Sequence, residues 1–482
     1  MLQEAVLEQL LADLALESYL YNTGRADTLD GMARVWETSA ELFTLDRTLE
    51  LIASARDGRA EALVADLAAQ EYLFSLVRPI QAEIAERRRE SSLLWGRTWL
   101  PVDAAGFHLA NEPDPSIRRA LLCMIDTAEA NANPLRVRRH WTIHNAIRQD
   151  LGFGGYIAMV ESLLGVDLHR LREQIEAFLE ATKPAYEDGL ARLTKTAGIS
   201  GKHPTDGDMA YITRASRYDG SFPGEKAILA AARTLKGLGI DLLAQENVTM
   251  DVQDGEGKAL CAYCSAVRIP DDIRIYRYPT GGWEDYQSLL HEIGHAEYFA
   301  NVSPSAPFPY RTLIDGAVSE GFAFLFESMV QDATWRQTVL EEPPPPDFAE
   351  FSRDVTRYSV RAYCTQFLFE MDLHTSPDPR GMARRFSEIY DRLLGVKVHP
   401  ELYLRSVSDF FAGAEYLQGW ILSAQLRRYL RQEYGPAWFS ARRAGDFLKE
   451  MWASGSRDTA DQIARGLGYD ALDPRVLAAE LI

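Results

Sequence analysis

LLHEIGHAEYF, residues Leu289 to Phe299, carries two histidines four apart with a glutamate beside the first. On a helix of 3.6 residues per turn, positions i and i+4 stand one above the other, so His291 and His295 can aim their imidazoles at one point. A catalytic zinc takes three protein ligands and keeps a fourth position for water, and this pair supplies two of the three. Glu292 follows His291 on the side of the helix from which a carboxylate reaches a water beside the metal but not the metal itself. That position casts it as a general base. The helix is expected to begin near Trp283, after the glycine turn of YPTGGW, and to run through Phe299 until Pro304 and Pro307 prevent its continuation.

The third ligand has to come from downstream, where Glu297, Asp315, Glu320 and Glu327 are the candidates. Glu297 lies about 200° around the helix from His295, so it points away and reads as a surface acid. AVSEGFAFLFESMV reads as a second, buried helix, with Glu320 near its start among Val318, Phe322, Phe324 and Leu325. A carboxylate there is costly to bury without a partner, and a cation would supply one. Glu327, seven residues on and nearly on the same stripe, is the second choice as ligand and a candidate acid behind the ligands.

The composition sets the limits within which this site must work. A chain of 482 residues with 46% hydrophobic residues can bury a large core. Lys and Arg total 51 against 70 Asp and Glu, and a net charge of −19 argues against a nucleic acid partner, since phosphate binding needs a basic face. The run ERRRE, Glu86 to Glu90, reads as a solvated helix face. The N-terminus lacks the basic start and apolar core of a secretory signal, and no segment offers about 18 unbroken apolar residues for a membrane span. Only four cysteines occur, which fits a cytoplasmic protein. CAYC, Cys261 to Cys264, has no second Cys/His cluster to complete a metal site and sits in a strand-like run, so its expected role is structural. The glycines of LGFGGY follow a helix-like segment with no Lys-Ser/Thr pair after them, which argues against a phosphate cradle. EEPPPPDF, Glu341 to Phe348, reads as a stiff connector.

Apolar residues recur at three- and four-residue intervals over Met1–Tyr21, Met32–Arg56, Ala60–Arg88, Leu168–Thr194 and Gly224–Leu238, all expected as helices. Strand-like segments cluster at Asn247–Val252, Ala259–Arg268 and Ile273–Tyr278, immediately before the histidine motif. The expected fold is mainly α with one small sheet. The strand IRIYRY is expected to form a sheet edge beside the motif helix, where an extended peptide can lie along it.

HEIGHAEYF and VSEGFAFLFE together resemble the zinc-binding helices of the thimet oligopeptidase and oligoendopeptidase family of metallopeptidases, with angiotensin-converting enzyme and the thermostable carboxypeptidases as more distant relatives. KALCAYCSAVRIP is similar to the strand before that family's motif, and GSRDTADQIARGLGYDALDPRVL to its C-terminal segment. The resemblance covers residues 200–482, with a looser helical similarity before them. It implies an all-helical, two-lobed shell with a deep channel, divided as a helical lobe over 1–200 and a catalytic lobe over 201–482. It also implies one Zn2+ held by His291, His295 and Glu320, and short peptides as substrate. Tyr416, within DFFAGAEYLQGW, falls where the family places a tyrosine on the developing oxyanion. The chain departs from the family in having Leu404 and Gly413 where a histidine and a second tyrosine are usual; Tyr403 or His399 could substitute.

The expected activity is therefore hydrolysis of internal bonds in short peptides, with Glu292 and Tyr416 as catalytic residues, no membrane partner and no oligomeric state implied. A metallocarboxypeptidase on the same scaffold is the alternative, and it needs a cation to grip a free C-terminus, for which Arg357, Arg361 and Arg405 are available. A zinc-bearing scaffold protein without catalysis is the rival from another class.

Overall fold

The computed structural model describes residues 4–199, 203–252, 262–341 and 343–482. Helices dominate. Those that matter for the site, in chain order, are α1 (Glu4–Asn22), α2 (Arg59–Glu90), α3 (Asn133–Gln149), α4 (Leu168–Thr196), α5 (Trp283–Ala300), α6 (Gly316–Glu327), α7 (Phe348–Thr375), α8 (Ala412–Tyr434) and α9 (Pro474–Leu481). The main hydrophobic core runs without a break from Ala65 on α2 to Leu481 on α9.

The expected sheet is present, with β3 (Val248–Val252), β4 (Ala262–Arg268) and β5 (Asp272–Arg277) in the order β3-β5-β4. β5 pairs parallel to β3 and antiparallel to β4. The strand IRIYRY is thus the central one, and the edge beside the motif helix is β4. Ile273 and Ile275 on one face and Tyr276 on the other are fully buried, so the strand is covered on both sides. Cys264 lies on β4 as a free thiol; Cys261, the other cysteine of CAYC, lies outside the described residues. A hairpin of β1 (Ser92–Trp95) and β2 (Thr98–Pro101) was not anticipated, because each strand is only four residues long and sits between helical segments. Its signal is the turn at Gly96, which takes φ 64°.

The turn from β5 into α5 fixes the histidine helix. Asp285, in the first turn of α5, accepts from Arg277 Nε at the end of β5 (2.8 Å) and from the amide of Gly281 (2.8 Å). Gly282, at φ 90°, makes the bend. Arg277 and Asp285 are both buried, so the pair cannot be broken singly without leaving an unanswered charge.

α6 is the middle layer of three, pressed between α5 and α8. A Cβ at Gly294 on α5 would stand 2.6 Å from Ala323 Cα and 2.7 Å from the Phe322 carbonyl oxygen. A Cβ at Gly419 on α8 would stand 2.6 Å from Glu320 Cβ. Backbone contact on both sides of α6 therefore depends on these two glycines. Gly294→Ala is expected to destabilise the chain by about 1–3 kcal/mol, the usual cost of overpacking; chemical denaturation read by far-ultraviolet circular dichroism checks this, and an unchanged midpoint would mean that the two helices can slide apart.

Candidate metal centre

α5 and α6 bring His291, His295 and Glu320 together, with their ligating atoms all within 4.8 Å of one another. The two Nε2 atoms are 3.2 Å apart, and Glu320 reaches them at 3.4 Å (Oε2 to His291) and 3.7 Å (Oε1 to His295). The imidazole planes stand at 81° with centroids only 4.8 Å apart, so the nitrogens meet at a bend and face a common point. Each ring is held from behind. His291 Nδ1 contacts Glu327 Oε2 at 2.9 Å, and His295 Nδ1 contacts Ser319 Oγ at 2.7 Å. With a proton on each Nδ1, both Nε2 lone pairs face the triangle, the tautomer that a metal requires.

The charge balance of the triangle calls for a cation. Glu320 Oε2 is buried with no hydrogen-bond partner. Burial pushes the Glu320 and Glu292 carboxyls up to about 7 each. Burial opposes a charge on His291, yet the hydrogen bond and charge of Glu327, with the charges of Glu292 and Glu320, outweigh it and hold that imidazole up at about 9. His295, buried and beside His291, is held well down and is neutral. A divalent ion answers the carboxylates directly where a proton on His291 answers them only in part. Two neutral-capable imidazoles and one carboxylate also form a donor set suited to zinc.

Glu292 lies against the sheet edge. Its Oε2 accepts the backbone N–H of Cys264 on β4 at 2.6 Å, which leaves Oε1 unbound by that contact. Tyr416 on α8 stands over Phe324 (6.0 Å) and stacks on Tyr363 of α7 (5.2 Å, planes 11° apart). Its hydroxyl faces Glu320 and helps to hold that carboxyl down. Burial first, and then the charge of Glu320, push the Tyr416 pKa up, so the hydroxyl keeps its proton as a donor.

The remaining sequence candidates lie elsewhere. Asp315 is the N-cap of α6, accepting from Val318 N at 3.0 Å and pairing with Arg59 at 2.5 Å. Glu297 does point away from the triangle, but it is fully buried and bonded to Gln245 and Asn301, where a surface acid was expected. The back of α5 faces the core, which the 3.6-residue geometry alone does not reveal. His399 is exposed and caps the turn at Glu401, while Tyr403 is buried beside Glu401, Asp378 and Arg380. Neither substitutes at the triangle. Arg357 binds the carbonyls of Leu481 and Ile482, and Arg361 those of Leu393 and Leu179. Arg405 pairs with Glu129 at 3.2 Å.

Sequence reasoning missed Ser319, whose hydroxyl on a buried helix next to Glu320 was the available signal. It also missed His140, His144 and His374, whose nitrogens likewise lie within 4.8 Å. The signal was HWTIH, with the same four-residue spacing as the motif. The geometry differs, however. His144 Nε2 and His374 Nδ1 are 3.0 Å apart, their planes are 15° apart and their centroids are 5.2 Å apart, so the two nitrogens meet head-on between nearly coplanar rings. One nitrogen's lone pair is spent on the other's N–H. His140 stacks on His144 at 4.0 Å with planes 22° apart, which keeps its in-plane nitrogens from converging with them.

No protein family matches the chain by sequence profile, and a search of curated proteins finds no match. Solved structures do match, along nearly the whole chain. An M32 carboxypeptidase from Deinococcus radiodurans R1 superposes with a TM-score of 0.58 at 18% identity, covering 98% of this chain and 96% of that one. Metallocarboxypeptidase 1 of Trypanosoma cruzi gives 0.58 at 17%, covering 99% and 97%. A carboxypeptidase from Pyrococcus furiosus gives 0.59 at 14%, also covering 99% and 97%. The fold is therefore one that metallocarboxypeptidases use, and nothing in these matches singles out the thimet oligopeptidase family.

Metal analysis of the purified protein is expected to give one zinc per chain. Glu320→Ala and His291→Ala should lose it, and Glu327→Gln should weaken zinc affinity by about 10–100-fold, the usual effect of removing a group behind a ligand. His144→Ala should keep the full equivalent; if it instead halves a stoichiometry of two, the histidine trio is a second metal site.

Proposed function

We propose that this chain is a zinc-dependent metallopeptidase acting on short peptides, with release of C-terminal residues as its activity. The observation that carries the reading is the buried triangle of His291, His295 and Glu320 with an unpartnered carboxylate oxygen, flanked by Glu292 on one side and Tyr416 on the other. The ion itself supplies Lewis acidity, making water nucleophilic near neutral pH and polarising a carbonyl.

The chain's own groups supply the rest. Glu292 would take a proton on Oε1 while Oε2 stays on the Cys264 amide, and, raised by burial above the ordinary carboxyl range, it would return that proton to the departing amine. Tyr416 keeps its hydroxyl proton, which is directed at Glu320; turned from that carboxylate, it would donate a hydrogen bond where negative charge develops on the substrate oxygen, an interaction typically worth about 3 kcal/mol. Glu327 and Ser319 hold the two imidazoles in one tautomer. A cytoplasmic location fits the low cysteine content, and no helix among the described residues is long and apolar enough to cross a membrane.

The carboxypeptidase assignment draws on the fold shared with carboxypeptidases. The endopeptidase reading keeps one observation in its favour: Arg357 and Arg361 are committed to backbone carbonyls, so of the three candidate cations only Arg405, paired through Nε with Glu129, has N–H groups left to grip a free C-terminus. Peptides blocked at the C-terminus decide between the two, since a carboxypeptidase stalls on them and an endopeptidase cuts them.

Glu292→Gln should retain zinc while peptide hydrolysis falls by about 100- to 10,000-fold. Near-normal rates in a zinc-replete Glu292→Gln protein would remove this residue from the mechanism.

A further inference from the structure

A cavity of about 570 Å3 opens beside α2 and α3, lined by Arg88, Arg136, Arg139 and Arg405, with Asp409 as the one acid in its wall among the described residues. It lies at the His374 end of α7, eleven residues from Tyr363, or about 16 Å along the helix at 1.5 Å per residue. In a chain of net charge −19, four guanidinium groups around one space form a local reversal of sign. A low-dielectric cleft concentrates such a field.

For Arg139 and Arg405 the counter-charges answer it only in part. Behind the wall, fully buried Glu129 takes Arg88 (3.0 Å), Arg136 (2.6 Å) and Arg405 (3.2 Å) on one carboxylate. Asp126 and Asp206 lie behind Arg405, but burial pushes both carboxyls up, Asp126 to about 7. Arg139 places a single nitrogen on Asp409, at 2.8 and 2.9 Å, and Arg405 spends only Nε on Glu129. The other N–H groups of these two arginines remain for a ligand.

The cavity is also lined by the uncharged rings of His140, His144, His374 and Tyr156. His140, His144 and His374 are buried, which pulls their imidazoles far down, to about 4 for His140 and about 3 for His144. Tyr156 stacks on His374 at 3.9 Å with planes 6° apart. His374 Nε2 is buried behind this wall with no hydrogen-bond partner, so it is not itself presented to a ligand in the cavity. The head-on contact of His144 and His374 argues against a metal as that ligand.

We propose that this cavity binds a small organic anion, with a phosphoryl or carboxylate head held by Arg139 and Arg405 and a flat body laid against the histidine wall. Guanidinium groups recognise both heads by paired hydrogen bonds. The volume is in the range of small-molecule sites.

The test is isothermal titration of the zinc-loaded full chain with AMP (phosphoryl head, flat body), citrate (carboxylate heads) and adenosine (body without charge). Saturable one-site binding of AMP or of citrate is expected, the better of the two identifying the head group, with adenosine at least tenfold weaker. Arg139→Gln and Arg405→Gln should each weaken the better ligand at least tenfold while zinc content and thermal midpoint stay unchanged. Absence of saturable binding by both anions, or wild-type affinity in both variants, overturns the proposal, as does a second zinc equivalent that His144→Ala removes.

Discussion

Backbone contact across α6 is the constraint on which the rest of the site depends. Helices normally keep 8–10 Å between axes because side chains intervene. Gly294 and Gly419 remove those side chains on the two faces of α6, so the backbone itself sets the spacing. Glu320 and Ser319, consecutive on α6, then meet the two imidazoles of α5 without long side-chain reach. The glycine inside HEIGH is thus as much a part of the metal geometry as the histidines around it.

That close packing leaves acids in a buried place. Glu292, Glu320 and Glu327 surround His291, and the imidazole is drawn toward its charged form by their field against the pull of burial. A site of this kind stores its affinity for a cation in the arrangement of anions, and the protein core pays by keeping them dry. The trio at His140, His144 and His374 shows the contrast. Its nitrogens are equally close, but its rings are parallel or head-on, and its neighbours are arginines and an aromatic ring in place of carboxylates. Proximity of imidazoles does not make a metal site; the direction of their lone pairs and the sign of the surroundings do.

How much of this was legible in the sequence follows the reach of each signal. The bounds of α5, the second helix carrying Glu320 and the three strands before the motif were readable, because periodicity and glycine or proline punctuation act over a few residues. The strand order was not, since IRIYRY reads the same whether it pairs on one side or two; only the pairing itself marks it as central. Glu297 was misjudged because helical geometry gives the angle between residues and not what packs on each face. Arg357 and Arg361 could be nominated as cations, yet their commitment to carbonyls more than 30 residues away is set by tertiary packing that no local pattern encodes.

The contact between Glu292 and the Cys264 amide has a consequence for how freely this protein can vary. The group that steadies Glu292 belongs to the main chain of an edge strand, so its presence is indifferent to which side chain position 264 bears. Nineteen of the twenty amino acids can offer it, and proline alone cannot. Divergence at that strand can proceed widely while the Glu292 carboxylate stays moored, provided the strand keeps its register.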